Sequence, residues 1–163
     1  MSALLHRVNK TADLEPKLLK IQNEMSERGR EIYIPLMSKP NLQDSGEKLD
    51  PLEDRVISFL NDKKEVMLIL GDSGSGKSTY NRHLERKLWA EYQPGGAIPL
   101  FIALETMGKL DENNIVRRTL AIYGFTEVEI QELKEHRRVI LICDGYGECR
   151  QWINLHSLVK EER

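Results

Sequence analysis

Residues 71–78, Gly71, Asp72, Ser73, Gly74, Ser75, Gly76, Lys77 and Ser78, have the types and spacing of a Walker A phosphate loop. Glycines at 71, 74 and 76 free the backbone to turn successive N–H groups inward around an anion. A helix beginning at Lys77 would aim its free amide ends and positive dipole at the same anion. Lys77 would then reach the β- and γ-phosphates of a nucleoside triphosphate as a point charge, and the Ser78 hydroxyl would take one position on Mg²⁺. A glycine-rich strand-to-helix turn requires neither Lys nor Ser after its last glycine, so their order carries the information.

A second chemical constellation lies 67 positions after Lys77, where the apolar run 139–143 ends in Asp144-Gly145-Tyr146-Gly147-Glu148. A carboxylate at the C-terminal end of a parallel strand faces the crevice in which such sheets bind ligands. Asp144 can therefore reach the Mg²⁺ held by Ser78, directly or through water, as a Walker B acid. Asp-Gly is also an ordinary turn signal, and it is the upstream phosphate loop that favours the metal role. Glu148 is the candidate catalytic residue, placed to polarise a water attacking the γ-phosphate; a solvated turn glutamate is the competing reading.

These groups need strands and helices to position them. Five apolar residues, 66–70, predict a strand delivering the chain into the loop, and Leu84, Leu88 and Trp89 predict the inward side of a helix from Lys77 to about Tyr92, stopped by Pro94-Gly95-Gly96. A nearly all-apolar strand over 98–104 follows, then a helix through Ile115, Leu120 and Ile122 ending near Gly124. Thr126 and Glu129 form a capping box opening a helix through Leu133, and 139–143 is a third buried strand. Upstream, Leu14, Leu18, Ile21 and Met25 recur at helical spacing over 13–28, with Asp13 as cap, Pro16 in the first turn and Gly29 at the end. Ile32-Tyr33-Ile34 could be a short extended piece within a linker over 31–50, and Asp50-Pro51 opens a helix through Leu60 with Val56, Ile57 and Leu60 buried. The order of elements predicts an α/β fold with a three-layer parallel-sheet P-loop NTPase core over 50–163 and an α-helical N-terminal extension with linker over 1–49.

Composition excludes some classes. The chain has 163 residues, 40% of them hydrophobic, with 24 Lys and Arg against 26 Asp and Glu. Nothing in this balance argues for a surface that binds nucleic acid or an anionic membrane, and the basic clusters Arg82-His83 and His136-Arg137-Arg138 each read as a solvated helix face or strand entry. No apolar run nears the roughly 18 residues that span a bilayer, and the N-terminal residues turn polar too soon for a signal peptide, which predicts a cytoplasmic protein. The two cysteines, Cys143 and Cys149, match no metal spacing and are expected to be reduced.

The phosphate loop, the run Ile-Pro-Leu-Phe-Ile-Ala-Leu at 98–104 and the acid-ended strand together resemble the NACHT type of STAND signalling ATPase over roughly 50–150. The resemblance implies an ATP-switched scaffold with Mg²⁺, slow hydrolysis acting as reset, and self-association or a protein partner engaged through N-terminal or absent regions. The NACHT acid strand continues with a small residue, any residue and two acids; Gly147 stands where the first of these acids belongs, and weak hydrolysis is expected for that reason. The resemblance also implies a sheet order 5-1-4-3-2, with a strand from beyond the acid-ended strand inserted between it and the phosphate-loop strand. Only 151–163 follow, where Trp152, Ile153, Leu155, Leu158 and Val159 could form one short helix, so the core is expected to be truncated after the Walker B strand. Two alternatives stand beside this reading: a small P-loop kinase, which would need an arginine-bearing lid, and a non-catalytic adaptor with a degenerate NTPase core. A GTPase is disfavoured, because the only string resembling its base-reading motif, Asn9-Lys10-Thr11-Ala12-Asp13, precedes the phosphate loop.

Overall fold

A computed structural model describes residues 14–28, 33–40, 49–63, 66–106 and 115–148. Helix α1 (Glu15–Glu27) carries Pro16 in its first turn and buries Leu18, Ile21 and Met25. Its proposed cap Asp13 and terminal Gly29 lie outside the described residues. The predicted linker contains a short antiparallel bridge, β1 (Met37–Ser38) with β2 (Asp50–Pro51). Pro51 therefore ends a strand pair, and helix α2 begins one residue later and runs Leu52–Leu60. Of the side expected to be buried, Val56 is; Ile57 and Leu60 are only half-buried.

Helix α3 (Lys77–Ala90) follows the phosphate loop and buries Tyr80, Leu84, Glu85 and Trp89. Strand β3 (Ile98–Ala103) passes through a 3-10 turn, Leu104–Thr106. Helices α4 (Ile115–Ile122) and α5 (Glu127–His136) complete the crossover to β4 (Val139–Asp144). The capping box forms as expected: the Thr126 hydroxyl accepts from the Glu129 amide, and the Glu129 carboxylate accepts from the Thr126 amide at 2.7 Å.

Strands β3 and β4 are parallel, Ile98 opposite Val139 through Ala103 opposite Asp144. Alternation sends successive side chains to opposite faces. Ile98 and Leu100 join a core with Leu18, Trp89, Val116, Leu120 and Leu133, while Phe101, Ile140 and Ile142 meet Leu52, Val56, Tyr80 and Leu84. β3 is largely buried between these clusters, whereas in β4, expected as a buried strand, only Ile142 is buried and the other residues are half-buried along a cleft. The Phe101 amide is met at 3.3 Å by the buried Glu85 carboxylate. That bond occupies an outward-facing donor at the edge of the sheet.

The full layered core is seen only in part. Residues 66–70 are extended but pair with no strand among the described residues, and Leu68 and Leu70 are more than half exposed. The physical reason is a missing neighbour: β4 bonds to β3 on one side, and no described segment fills the space between its other side and residues 66–70.

Helix α1 is built into the same core as the sheet. Leu14, Leu18, Ile21 and Met25 pack with Trp89 and Tyr92, and the Gln22 amide donates to the carbonyls of Trp89 (2.9 Å) and Tyr92 (3.1 Å), partnering the C-terminal end of α3. Lys17 donates to Glu129 and to the Gly124 carbonyl. Arg137, expected as a solvated basic residue before a strand, is instead buried: it pairs with Glu15 and donates to the Tyr92 hydroxyl and the Gly96 carbonyl. Among the described residues no helix is long and apolar enough to cross a membrane.

Candidate functional site

The phosphate loop is shaped by two glycines in the left-handed region, Gly74 at φ 76° and Gly76 at φ 90°. Gly76 is the residue before α3, and a side chain there would be strained by its backbone conformation. Gly71 serves a different need from the one its motif suggests. Its φ is ordinary, and an added Cβ would lie 2.9 Å from the Ser75 hydroxyl, which would have to rotate aside.

Among the described residues no side chain caps the start of α3. A helix N-terminus left in this way presents N–H donors and a positive dipole end to whatever occupies the loop. Lys77 folds over the loop, its Nζ donating to the carbonyls of Gly71 (2.6 Å) and Asp72 (2.7 Å). Those bonds keep the ammonium within the concavity that a phosphate would fill. Asp72 and Ser73 form the exposed outer part of the loop, and Ser78 is exposed on the first turn of α3.

A cleft of about 1030 Å³ runs from this loop between residues 66–70 and β4, with Ser73, Lys77, Ser78, Asp144, Gly145 and Gly147 in its lining. Ser78 and Asp144 both line this cleft. Asp144 is half-buried at the end of β4, and Gly145, at φ 78°, turns the chain away immediately after it. Glu148 closes the 3-10 turn Tyr146–Glu148, which sets its backbone next to the cleft; its side chain lies outside the described residues.

The donor set fits a hydrated magnesium ion that arrives with a nucleotide. Among the described residues no cluster of three or more His, Cys, Asp or Glu could hold a cation unaided. One hydroxyl and one carboxylate would suffice for a cation that takes its other ligands from phosphate oxygens and waters. Cys143 adds no nucleophile, because burial pushes its thiol up to about 11 and keeps it protonated. Cys149 lies outside the described residues.

Two parts of this site were missed in the sequence. Asn81 Nδ2 donates to Asp144 Oδ1 at 2.8 Å, linking α3 to the end of β4. Its spacing from Ser78, three residues on the same helix face, was the available signal. The segment 33–36, read as linker, packs against the loop: Leu36 approaches Gly76, and the Tyr33 ring stacks on His83 with centroids 3.8 Å apart. Burial holds the His83 imidazole below its usual range, with Arg86 and Lys87 adding to the effect of burial and Glu53 opposing it.

The family model described as NACHT domain matches residues 65–162. No curated protein and no solved structure matches the chain.

Proposed function

Because this chain belongs to the NACHT domain family of nucleotide-binding P-loop NTPases, we propose that residues 50–163 are a cytoplasmic Mg-ATP-binding signalling domain. In this reading nucleotide occupancy switches conformation or self-association and hydrolysis is weak, while residues 1–49 contribute the helix that docks on the domain. The single observation that carries the nucleotide reading is the meeting of an uncapped helix start, Lys77 and Ser78 with Asp144 around one cleft.

Each residue has a role that its chemistry allows. The amides of Gly74, Ser75, Gly76, Lys77 and Ser78 surround the phosphates, and Lys77 exchanges its two carbonyl acceptors for phosphate oxygens. Ser78 and Asp144 hold the cation. A bound magnesium ion would supply neutralisation of the phosphate charge. Glu148 orients water, and Gly147 leaves that water with one carboxylate fewer than the two acids of the NACHT pattern, which supports slow turnover.

Calorimetric titration with ATP, GTP and ADP, each with Mg²⁺ and with EDTA, tests the reading. Micromolar or tighter magnesium-dependent binding of ATP is expected, and no binding of any nucleotide would overturn it. Product analysis then separates the enzyme classes: slow phosphate release is expected, whereas transfer to a small acceptor would identify a kinase and neither product an adaptor.

A further inference from the structure

Asp144 ends its strand with a carboxylate that can rotate about a broad terminal torsion. Its orientation is therefore undecided by the backbone alone. Among the described residues Asn81 engages it: Asn81 Nδ2 donates to Oδ1 at 2.8 Å. Asn81 stands one turn after Ser78 on α3, so a single helix face presents both the hydroxyl and the amide to the same cleft. Residues 66–70 pair with no strand among the described residues, so no sheet hydrogen bonds fix the phosphate loop against β4 there. The register between Ser78 and Asp144 then depends on α3, and Asn81 is its hydrogen-bonded link to the carboxylate.

We propose that Asn81 is a positioning residue that turns the Asp144 carboxylate so that one oxygen faces the cation accompanying a bound nucleotide. The inference rests on the nucleotide reading above. A neutral amide suits this task, because it engages Oδ1 without bringing a positive charge that would compete with the cation. A lysine or arginine in its place would neutralise the carboxylate. Hydrogen-bond partners of metal ligands typically account for about 10- to 100-fold in metal affinity.

The test is a fluorescence titration of mant-ATP on the full chain, in EDTA and across a Mg²⁺ series. Wild type, Asn81→Leu, Asn81→Ala, Asp144→Asn and the Asn81→Leu/Asp144→Asn double variant are compared, with folding checked by circular dichroism melts. Leucine matches the shape of asparagine without its donor. The Mg²⁺ concentration giving half-maximal tightening is expected to rise about tenfold in both Asn81 variants. Their affinity in EDTA should stay at the wild-type value, and Asn81→Leu should add nothing in the Asp144→Asn background. An unchanged magnesium midpoint, or an equal loss with and without magnesium, overturns the proposal while leaving nucleotide binding intact. Absence of mant-ATP and ATP binding by the wild type overturns the nucleotide reading and this proposal together.

Discussion

Glu15 and Arg137, 122 residues apart, form an ion pair that ties the first turn of α1 to the approach of the strand ending in Asp144. Arg137 also donates to the Tyr92 hydroxyl, which itself donates to Glu15. Only 5% of the Arg137 side chain is exposed, so removing its partner leaves a charge with little access to water. Glu15→Gln is expected to cost about 1.5–3 kcal/mol, the worth of a charged hydrogen bond, and to lower Tm by about 3–12 °C. Differential scanning calorimetry checks this; an unchanged Tm would mean that α1 is not held by this pair.

The same network sets a pH dependence. Burial opposes ionisation of Glu15, but hydrogen bonds from Tyr92, Arg137 and the Gly95 amide outweigh it and hold its carboxyl below the usual range. A depressed folded-state value contributes stability that is present above the unfolded value of about 4.3 and is lost as pH falls through the folded one. Glu85 acts oppositely: burial raises its carboxyl against the Phe101 amide and nearby arginines, so its contribution weakens as pH rises past the unfolded value. Urea unfolding from pH 3 to 7 should show wild type losing stability on acidification more steeply than Glu15→Gln. Glu85→Gln should gain on wild type as pH rises toward 7. Parallel curves for all three would contradict these assignments.

Lys77→Ala should weaken Mg-ATP binding by about 10- to 150-fold, corresponding to roughly 1.5–3 kcal/mol for a charge-assisted contact. Isothermal calorimetry provides the measurement. Equal affinities would remove the phosphate-cradle role from this loop.

Gly147→Asp should raise ATP turnover by returning an acid beside the metal and water. The position accepts one sterically: its φ is ordinary, and a Cβ there meets nothing within 4 Å. Glu148→Gln should lower whatever turnover exists. If Gly147→Asp leaves the rate unchanged while Glu148→Gln abolishes it, Glu148 alone suffices and the missing acid is not the cause of slow hydrolysis.

Residues 1–163 expressed alone should self-associate as concentration rises. Among the described residues no strand pairs with the second side of β4 or with 66–70, where Leu68 and Leu70 are exposed, so backbone donors and acceptors lie there beside apolar side chains. Leu70→Lys should reduce association, read by size-exclusion chromatography with light scattering. A monodisperse monomer with one cooperative melt at all concentrations would contradict the expectation.

Elements whose signals are local were legible in the order of residues. The glycines before Lys77, the apolar runs that became β3 and β4, and the Thr126–Glu129 capping box each encode their geometry within a few residues, because sterics and short hydrogen bonds act at that range. Tertiary structure alone decided whether 66–70 would become a strand, since an apolar extended run is ladder-paired only where a neighbour exists to bond it. It also decided that Arg137 is buried against Glu15 and that Asn81 holds Asp144. Both contacts join segments far apart in the chain, and their partners become neighbours only after the helices have packed on the sheet.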